Sequence, residues 1–300
     1  MEKSKDFFYG VIFGILGVIL FSAKAVMVKL GYRYNVDAIS MLLLRMLFAF
    51  PFYLITAIIY TKREKEIKNT QKDYLWLVFF GFVGYYLASL FDFIGLQYIK
   101  ASLERVILFI YPTIVLLLNR LFLKKEITKH QKLAILVTYI GILLAFGGEL
   151  NTSGSDNVAL GAIMIVLSAI TFASYLVGSG WLIPKFGVMR FTAYAMLVSC
   201  ISVFIHYGLT HKIDLLTYPW QVYVLGLCIA FFSTVIPSFL VSMAIKKISS
   251  SNFAVISGLG PISTIILAVI FLDEKLTWLQ IIGTLVVISG ILIISRSKKS

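Results

Sequence analysis

The chain has 300 residues, 60% of them hydrophobic and only 14% charged, with a mean hydropathy of +0.94. A soluble domain carries about 25% charged and about 45–50% apolar residues, so this composition excludes a globule coated by its own polar surface. The net charge of +13 does not point to nucleic acid either, because Lys and Arg cluster in short gaps between long apolar runs, as in TKREKEIKNTQKDY (61–74), the pattern of cytoplasmic loops in a membrane protein.

A membrane-crossing helix needs about 20 predominantly apolar residues. In chain order such runs fall at about 8–30, 38–60, 74–93, 101–121, 130–148, 159–180, 190–208, 220–243, 252–272 and 277–295. The first follows MEKSKDFF and is too long for a signal-peptide core, so it reads as a retained span. The loop GGELNTSGSDNV (147–158) is the clearest linker. It divides the ten spans into two sets of five, 1–148 and 159–295. Cys200 and Cys228 lie inside apolar runs, which makes neither a disulfide framework nor a metal site. His130, His206 and His211 form no triad or zinc spacing, and no phosphate-binding glycine loop is visible. No cofactor is expected, and the pattern argues against an integral-membrane enzyme acting on lipid.

Two stretches share one frame: FLKKEITKHQ (122–131) and FLDEKLTWLQ (271–280). An offset of 149 lays Phe122 on Phe271, Thr128 on Thr277, Gln131 on Gln280, Pro112 on Pro261 and Gly141 on Gly290. The reading is a duplication, five helices followed by the same five. Five is odd, so the second copy starts on the opposite face of the membrane. Equivalent loops then differ in charge: Lys124 and Lys125 become Asp273 and Glu274, and Gln97 and Tyr98 become Lys246 and Lys247. Loops on one side hold Lys62, Arg63, Lys65, Lys68, Lys185, Arg190, Lys246 and Lys247 among eighteen Lys and Arg; the other side holds four, Arg33, Lys100, Lys212 and Lys275. Both termini are therefore expected in the cytoplasm.

The segments YIKASLERVILFIYPTIVLLLNRLFLKKEITKHQ (98–131) and KISSSNFAVISGLGPISTIILAVIFLDEKLTWLQ (247–280) each hold a small-residue helix start, a mid-helix Pro, a Phe-Leu end, an acid and Thr-x-x-Gln. With LLLRMLFAFP (42–51) in span two, they resemble the drug/metabolite transporter superfamily, specifically its EamA-like members. The first copy departs in placing its acid at Glu126, one position later than Glu274. The resemblance covers nearly the whole chain. It implies an all-α integral membrane fold, ten transmembrane helices as two inverted five-helix repeats. It also implies export of small organic metabolites, amino acids or drugs across the cell membrane.

An ionisable residue inside a span costs about 2.5–3.5 kcal/mol on insertion scales, so each is a functional candidate. Lys24 is in span one, Arg45 in span two, Asp92 near the end of span three, and Glu104 and Arg105 at the start of span four. All five are expected in the outer portion of the membrane. Gly10, Gly14, Gly17, Phe21 and Lys24 share one face of span one, and such glycines mark close helix approach. Tyr85, Ser89 and Asp92 share a face of span three; Ser168, Thr171, Tyr175 and Gly178 do so in span six; span nine offers Ser257, Gly258, Pro261 and Thr264. Spans one, three, four, six and nine could thus line a central polar cavity between the halves.

Blander readings stand beside these. Lys24 and Lys29 could snorkel to the headgroups, Arg45 could form a structural ion pair, Glu104 and Arg105 a local one, and the Ser and Gly stripes could serve packing alone. The candidates for substrate binding or gating are Lys24, Arg45, Tyr85, Asp92, Glu104, Arg105, Tyr175 and Ser257. The expected partners are a small-molecule substrate and the lipid bilayer. Coupling, if present, would use a proton or exchange, with Glu104 and Asp92 as proton carriers, because burial favours the neutral form of a carboxyl group. The positive groups outnumber the two acids, which leans toward an anionic substrate. The runner-up is export of organic cations. The charged cluster reads either as an outer gate or as the substrate site itself.

Overall fold

Apolar runs become helices here for one reason. In lipid an unpaired backbone N–H or C=O costs several kcal/mol, and a helix pairs these groups within its own segment. The computed structural model describes residues 2–63, 69–123, 129–153, 157–210 and 215–296. Among them there are helices and no strand. Lys65, Lys68, Lys124, Lys125, Glu126, Ser155, His211 and Lys212 lie outside the described residues.

Two runs form single helices, α1 (Glu2–Tyr32) and α2 (Ala38–Arg63). The third comprises α3 (Gln71–Gly81), a π-helical segment (Phe82–Leu87) and α4 (Ala88–Tyr98). The fourth is α5 (Ala101–Leu108) and α6 (Tyr111–Leu123), and α7 (Lys129–Ser153) follows. After the linker come α8 (Val158–Phe186) and α9 (Val188–Thr210). The next run is α10 (Trp220–Ala230), a second π-helical segment (Phe231–Val235) and α11 (Ile236–Ile248). The last are α12 (Ser250–Ile256), α13 (Leu259–Leu272) and α14 (Trp278–Arg296). Among the described residues, eight stretches, from Asp6–Tyr32 to Asn252–Leu272, are long and apolar enough to cross a membrane. The expected fifth and tenth spans coincide with shorter apolar helices, Ile135–Gly148 and Trp278–Gly290.

The fourth and ninth spans are each interrupted. Each was expected as one helix with a proline in its middle. Instead each breaks just before its proline, so that Pro112 and Pro261 stand in the first turn of α6 and α13. Proline has no N–H to donate, and its ring clashes with the carbonyl four residues back. In the second copy that carbonyl, of Ser257, accepts from Gly260 N at 2.8 Å instead. Both kinds of irregularity recur at the 149-residue offset: the π segments begin at Phe82 and Phe231, and the breaks precede Pro112 and Pro261.

The main helix pairs are α7 with α14, α1 with α11, α2 with α9, α4 with α8, α1 with α13, α2 with α10 and α6 with α8. Every pair joins a helix up to α7 to one from α8 onward; the stretch expected as a loop at 147–158 is itself helical through Ser153, where α7 ends. The offset also carries α4·α8 onto α11·α1, and α1·α13 onto α8·α6. On α1, added Cβ atoms at Gly10, Gly14 and Gly17 would lie nearest Ile248, Ile256 and Val241. The outer surface is apolar, with Leu75, Phe122, Ile205 and Leu285 exposed, while Arg45, Asp92, Glu104, Ser179, Thr192 and Ser242 are buried. That distribution suits a lipid surround, in which the polar groups must find partners inside the protein.

Helices α7 and α14 cross at glycine. A Cβ on Gly283 would fall 2.5 Å from the Gly141 carbonyl oxygen and 2.6 Å from the Ala145 nitrogen. Backbone atoms there cannot rotate aside. Gly283→Ala is therefore expected to destabilise by about 1–3 kcal/mol through overpacking. Gly208→Ala is the control, because no atom lies within 4 Å of that added Cβ. Thermal unfolding of the two variants in detergent should separate them, and equal melting would refute the close crossing.

Candidate functional site

A cavity of about 70 Å³ lies among the two sets of helices. Ligand pockets commonly measure about 300–1,000 Å³, so this arrangement is contracted and admits only a few waters. Helix α1 contributes Val18, Phe21 and Lys24 at three-residue spacing, which keeps them on one face. Arg45 comes from α2, Tyr85 from the first π segment, Ser89 from α4 and Arg105 from α5. Phe109, Tyr111, Phe172, Ser257 and Gly260 complete much of the wall. Five of the eight candidate residues thus line it: Lys24, Arg45, Tyr85, Arg105 and Ser257.

The two carboxyl groups stand behind this wall. Lys24 Nζ is 2.6 Å from Asp92 Oδ2, and the Asp92 side chain is fully buried. The Glu104 carboxyl faces that of Asp92 within hydrogen-bonding reach and is itself buried. Apart from the Lys24 ion pair, none of these four carboxyl oxygens accepts a hydrogen bond from a donor among the described residues. Two facing carboxylates without donors would repel each other strongly in so dry a place. Arg105 turns away from its neighbour Glu104. Its Nε donates to Thr264 Oγ1 at 3.0 Å and its Nη2 to the Phe21 carbonyl at 2.9 Å.

Arg45 is held in the same manner. Its Nε donates to Thr234 Oγ1 at 2.7 Å, its Nη1 to Ser89 Oγ at 2.9 Å, and its guanidinium lies over the Phe93 ring at 5.6 Å. Each arginine is thus oriented by a threonine from beyond the linker. Nη2 of Arg45 and Nη1 of Arg105 take no part in these bonds. Thr234 belongs to the second π segment and Tyr85 to the first, at positions related by the 149 offset. A π segment breaks the regular hydrogen-bond ladder and often marks a functional site. Tyr175 does not line the cavity; it is buried behind Tyr85, with the two rings 4.5 Å apart and edge to face. Their approach needs Gly84, since an added Cβ there would sit 2.0 Å from the Tyr175 Cβ.

Both ends of the bundle are tied across the linker. At the end holding the start of α1, Lys247 pairs with Asp6 and Lys185 with Asp73 at 2.5 Å. Thr70 and Asp73 form a capping box at the start of α3. At the other end, Arg33 Nη2 donates to the Leu272 carbonyl at 3.2 Å. There the Glu274 carboxylate caps α5, accepting from Ala101 N at 2.8 Å, Ser102 N at 3.1 Å and Ser102 Oγ at 2.5 Å. Lys29, read from sequence as a membrane-edge anchor, donates to the Leu96 carbonyl at 2.9 Å.

Sequence reasoning missed Thr234 and the capping role of Glu274; Ser89 was visible on the shared face of span three, but nothing there pointed to Arg45. Thr264 was visible within the polar stripe of span nine, but nothing in that stripe pointed to Arg105. Thr234 had one available signal, its place opposite Tyr85 under the repeat.

The profile of the EamA-like transporter family matches this chain twice, over residues 8–147 and 159–296. Uncharacterized transporter YcbK of Bacillus subtilis is 32% identical over 94% of this chain and 91% of its own length. Uncharacterized transporter YyaM of the same organism is 25% identical over 77% and 75%. A solved crystal structure, 12% identical, superposes with a TM-score of 0.70 over 97% of this chain and 99% of its own, a likeness of fold alone.

Proposed function

This chain belongs to the EamA-like transporter family, and we propose that it is a secondary transporter of small organic metabolites bearing a carboxylate or other anionic group. One observation carries this reading. The cationic side chains Lys24, Arg45 and Arg105 line the cavity, and the acids Asp92 and Glu104 do not. An anion entering the cavity meets three positive groups, two of them planar guanidinium forks suited to a carboxylate.

Ten spans in two inverted halves, 1–148 and 159–295, are the architecture that goes with this function. The recurrence of the π segments and breaks at one offset supports it, as does the exchange of helix pairs under that offset. Alternating access is then a rocking of the two halves about the central cavity, with the ties at the two ends released in turn. Export is the direction implied by the family resemblance, and the cell membrane is the expected location, with both termini cytoplasmic.

A second reading rests on the aromatic wall. Phe21, Tyr85, Phe109, Tyr111 and Phe172 also line the cavity, and aromatic faces attract organic cations. Binding of purified protein in detergent to a panel of amino acids, organic acids, nucleosides and permanent organic cations decides between them. Retention of anionic members supports the proposal, and retention of permanent cations alone refutes it. Orientation has a separate test. In a background lacking Cys200 and Cys228, Asn69→Cys should resist a membrane-impermeant thiol reagent in intact cells. Labelling from outside would invert the assigned topology.

A further inference from the structure

We propose that Asp92 and Glu104 form one shared proton site, coupled to substrate through Lys24, so that an anion and a proton are carried together in the same direction. This rests on the anionic-substrate reading of the cavity. In the present arrangement the two buried carboxyls face each other with no donor but the Lys24 ammonium on Asp92. Two charges of one sign so placed are stabilised by one proton between them. The pair then carries a single negative charge, and Lys24 neutralises it.

Lys24 also lines the cavity, with its side chain 12% exposed. It is the group able to serve either the pair or a substrate. When an anion draws the ammonium toward the cavity, the pair keeps a negative charge in a dry site without its cation. It recovers neutrality by taking a second proton from water. One anion and one proton have then entered, and the net charge of the site is unchanged. Release of the anion returns Lys24 to Asp92 and expels that proton on the side where the anion leaves.

The charged and titratable groups acting on the pair are Lys24 and Tyr32 from α1, Arg45 from α2 and Arg105 from α5. Arg45 and Arg105 are tied to Thr234 and Thr264, which leaves the ammonium as the movable charge. Of the other helices packed nearby, α13 carries no titratable side chain. On α8, Tyr175 packs on Tyr85 and Lys185 pairs with Asp73. On α7, Tyr139 faces outward, and the charged residues of α7 and α14 lie toward the helix ends.

The test uses benzoate as the anionic probe and benzylammonium as its cationic counterpart, with the full chain in detergent. Titration calorimetry in buffers of different ionisation enthalpy should show uptake of about one proton per benzoate bound, and an affinity rising about tenfold per unit fall in pH. The double variant Asp92→Asn with Glu104→Gln should still bind benzoate but lose the uptake. Benzoate binding without proton uptake in the native protein, or undiminished uptake in the double variant, overturns the coupling and leaves the anionic reading standing. Binding of benzylammonium but not benzoate overturns that reading, and the coupling with it. A ligand-free check covers a variant that does not fold and a protein that binds neither probe. The infrared spectrum of the native protein at neutral pH should contain the C=O stretch of a protonated carboxyl, which Glu104→Gln removes. Absence of that band overturns the shared proton.

Discussion

Lys24→Met is expected to lose about 3–5 kcal/mol of stability, because removing one partner of a buried ion pair strands the other. The stranded group is Asp92, with no solvent exposure and, apart from the Lys24 ammonium that the variant removes, no hydrogen-bond donor to either oxygen among the described residues. Methionine keeps the length and apolar stem of lysine, so lost packing contributes little. Asp92→Asn should cost less, since the Lys24 ammonium it leaves behind reaches the cavity. The double variant Lys24→Met with Asp92→Asn should be more stable than Lys24→Met alone, the mark of a coupled pair. A proton can replace the missing ammonium, so the damage in Lys24→Met should shrink as pH falls. Unfolding in detergent at two pH values measures all of this. A loss below about 1 kcal/mol, typical of an exposed pair, would mean that water reaches Asp92.

Glu274→Ala should raise the reactivity of a cavity thiol, Ser257→Cys in a background free of Cys200 and Cys228, by roughly tenfold. No side chain near the start of α5 caps that helix. The carboxylate that does so comes from the far side of the linker, between α13 and α14. These three bonds exist only while that loop rests on α5. Loss of a helix cap costs about 0.5–2 kcal/mol, and the same free energy shifts the balance between arrangements with this end closed and open. Glu274→Gln retains one acceptor oxygen and should fall between. If labelling with a thiol reagent is unchanged in Glu274→Ala, the capped end is not what closes the cavity.

Much of the architecture could be read along the chain. The apolar runs stand out because the cost of placing a residue in lipid is largely its own and sums over about 20 neighbours. Lys24, Arg45, Asp92, Glu104 and Arg105 stood out for the same reason, as costly exceptions inside such runs. The duplication was legible because one offset aligns Pro112 with Pro261 and Phe122 with Phe271. It located the helix breaks only loosely, since Pro112 tells where a helix cannot continue and not whether it bends or restarts.

What tertiary structure alone decided is which group meets which. A threonine in a membrane helix serves packing as readily as bonding, and nothing local separates Thr234 and Thr264 from the other hydroxyls of their spans. They hold Arg45 and Arg105 because α2 and α5 are packed against helices from beyond the linker. The π segments behave alike: the residues of Phe82–Leu87 suit an ordinary helix, and their wider turn accompanies the seating of Gly84 against Tyr175. Hydrophobicity belongs to the residue and can be summed along the sequence. The partner of a buried charge belongs to the packing, which brings Asp92 to both Lys24 and Glu104 and leaves the cations, not the acids, facing the cavity.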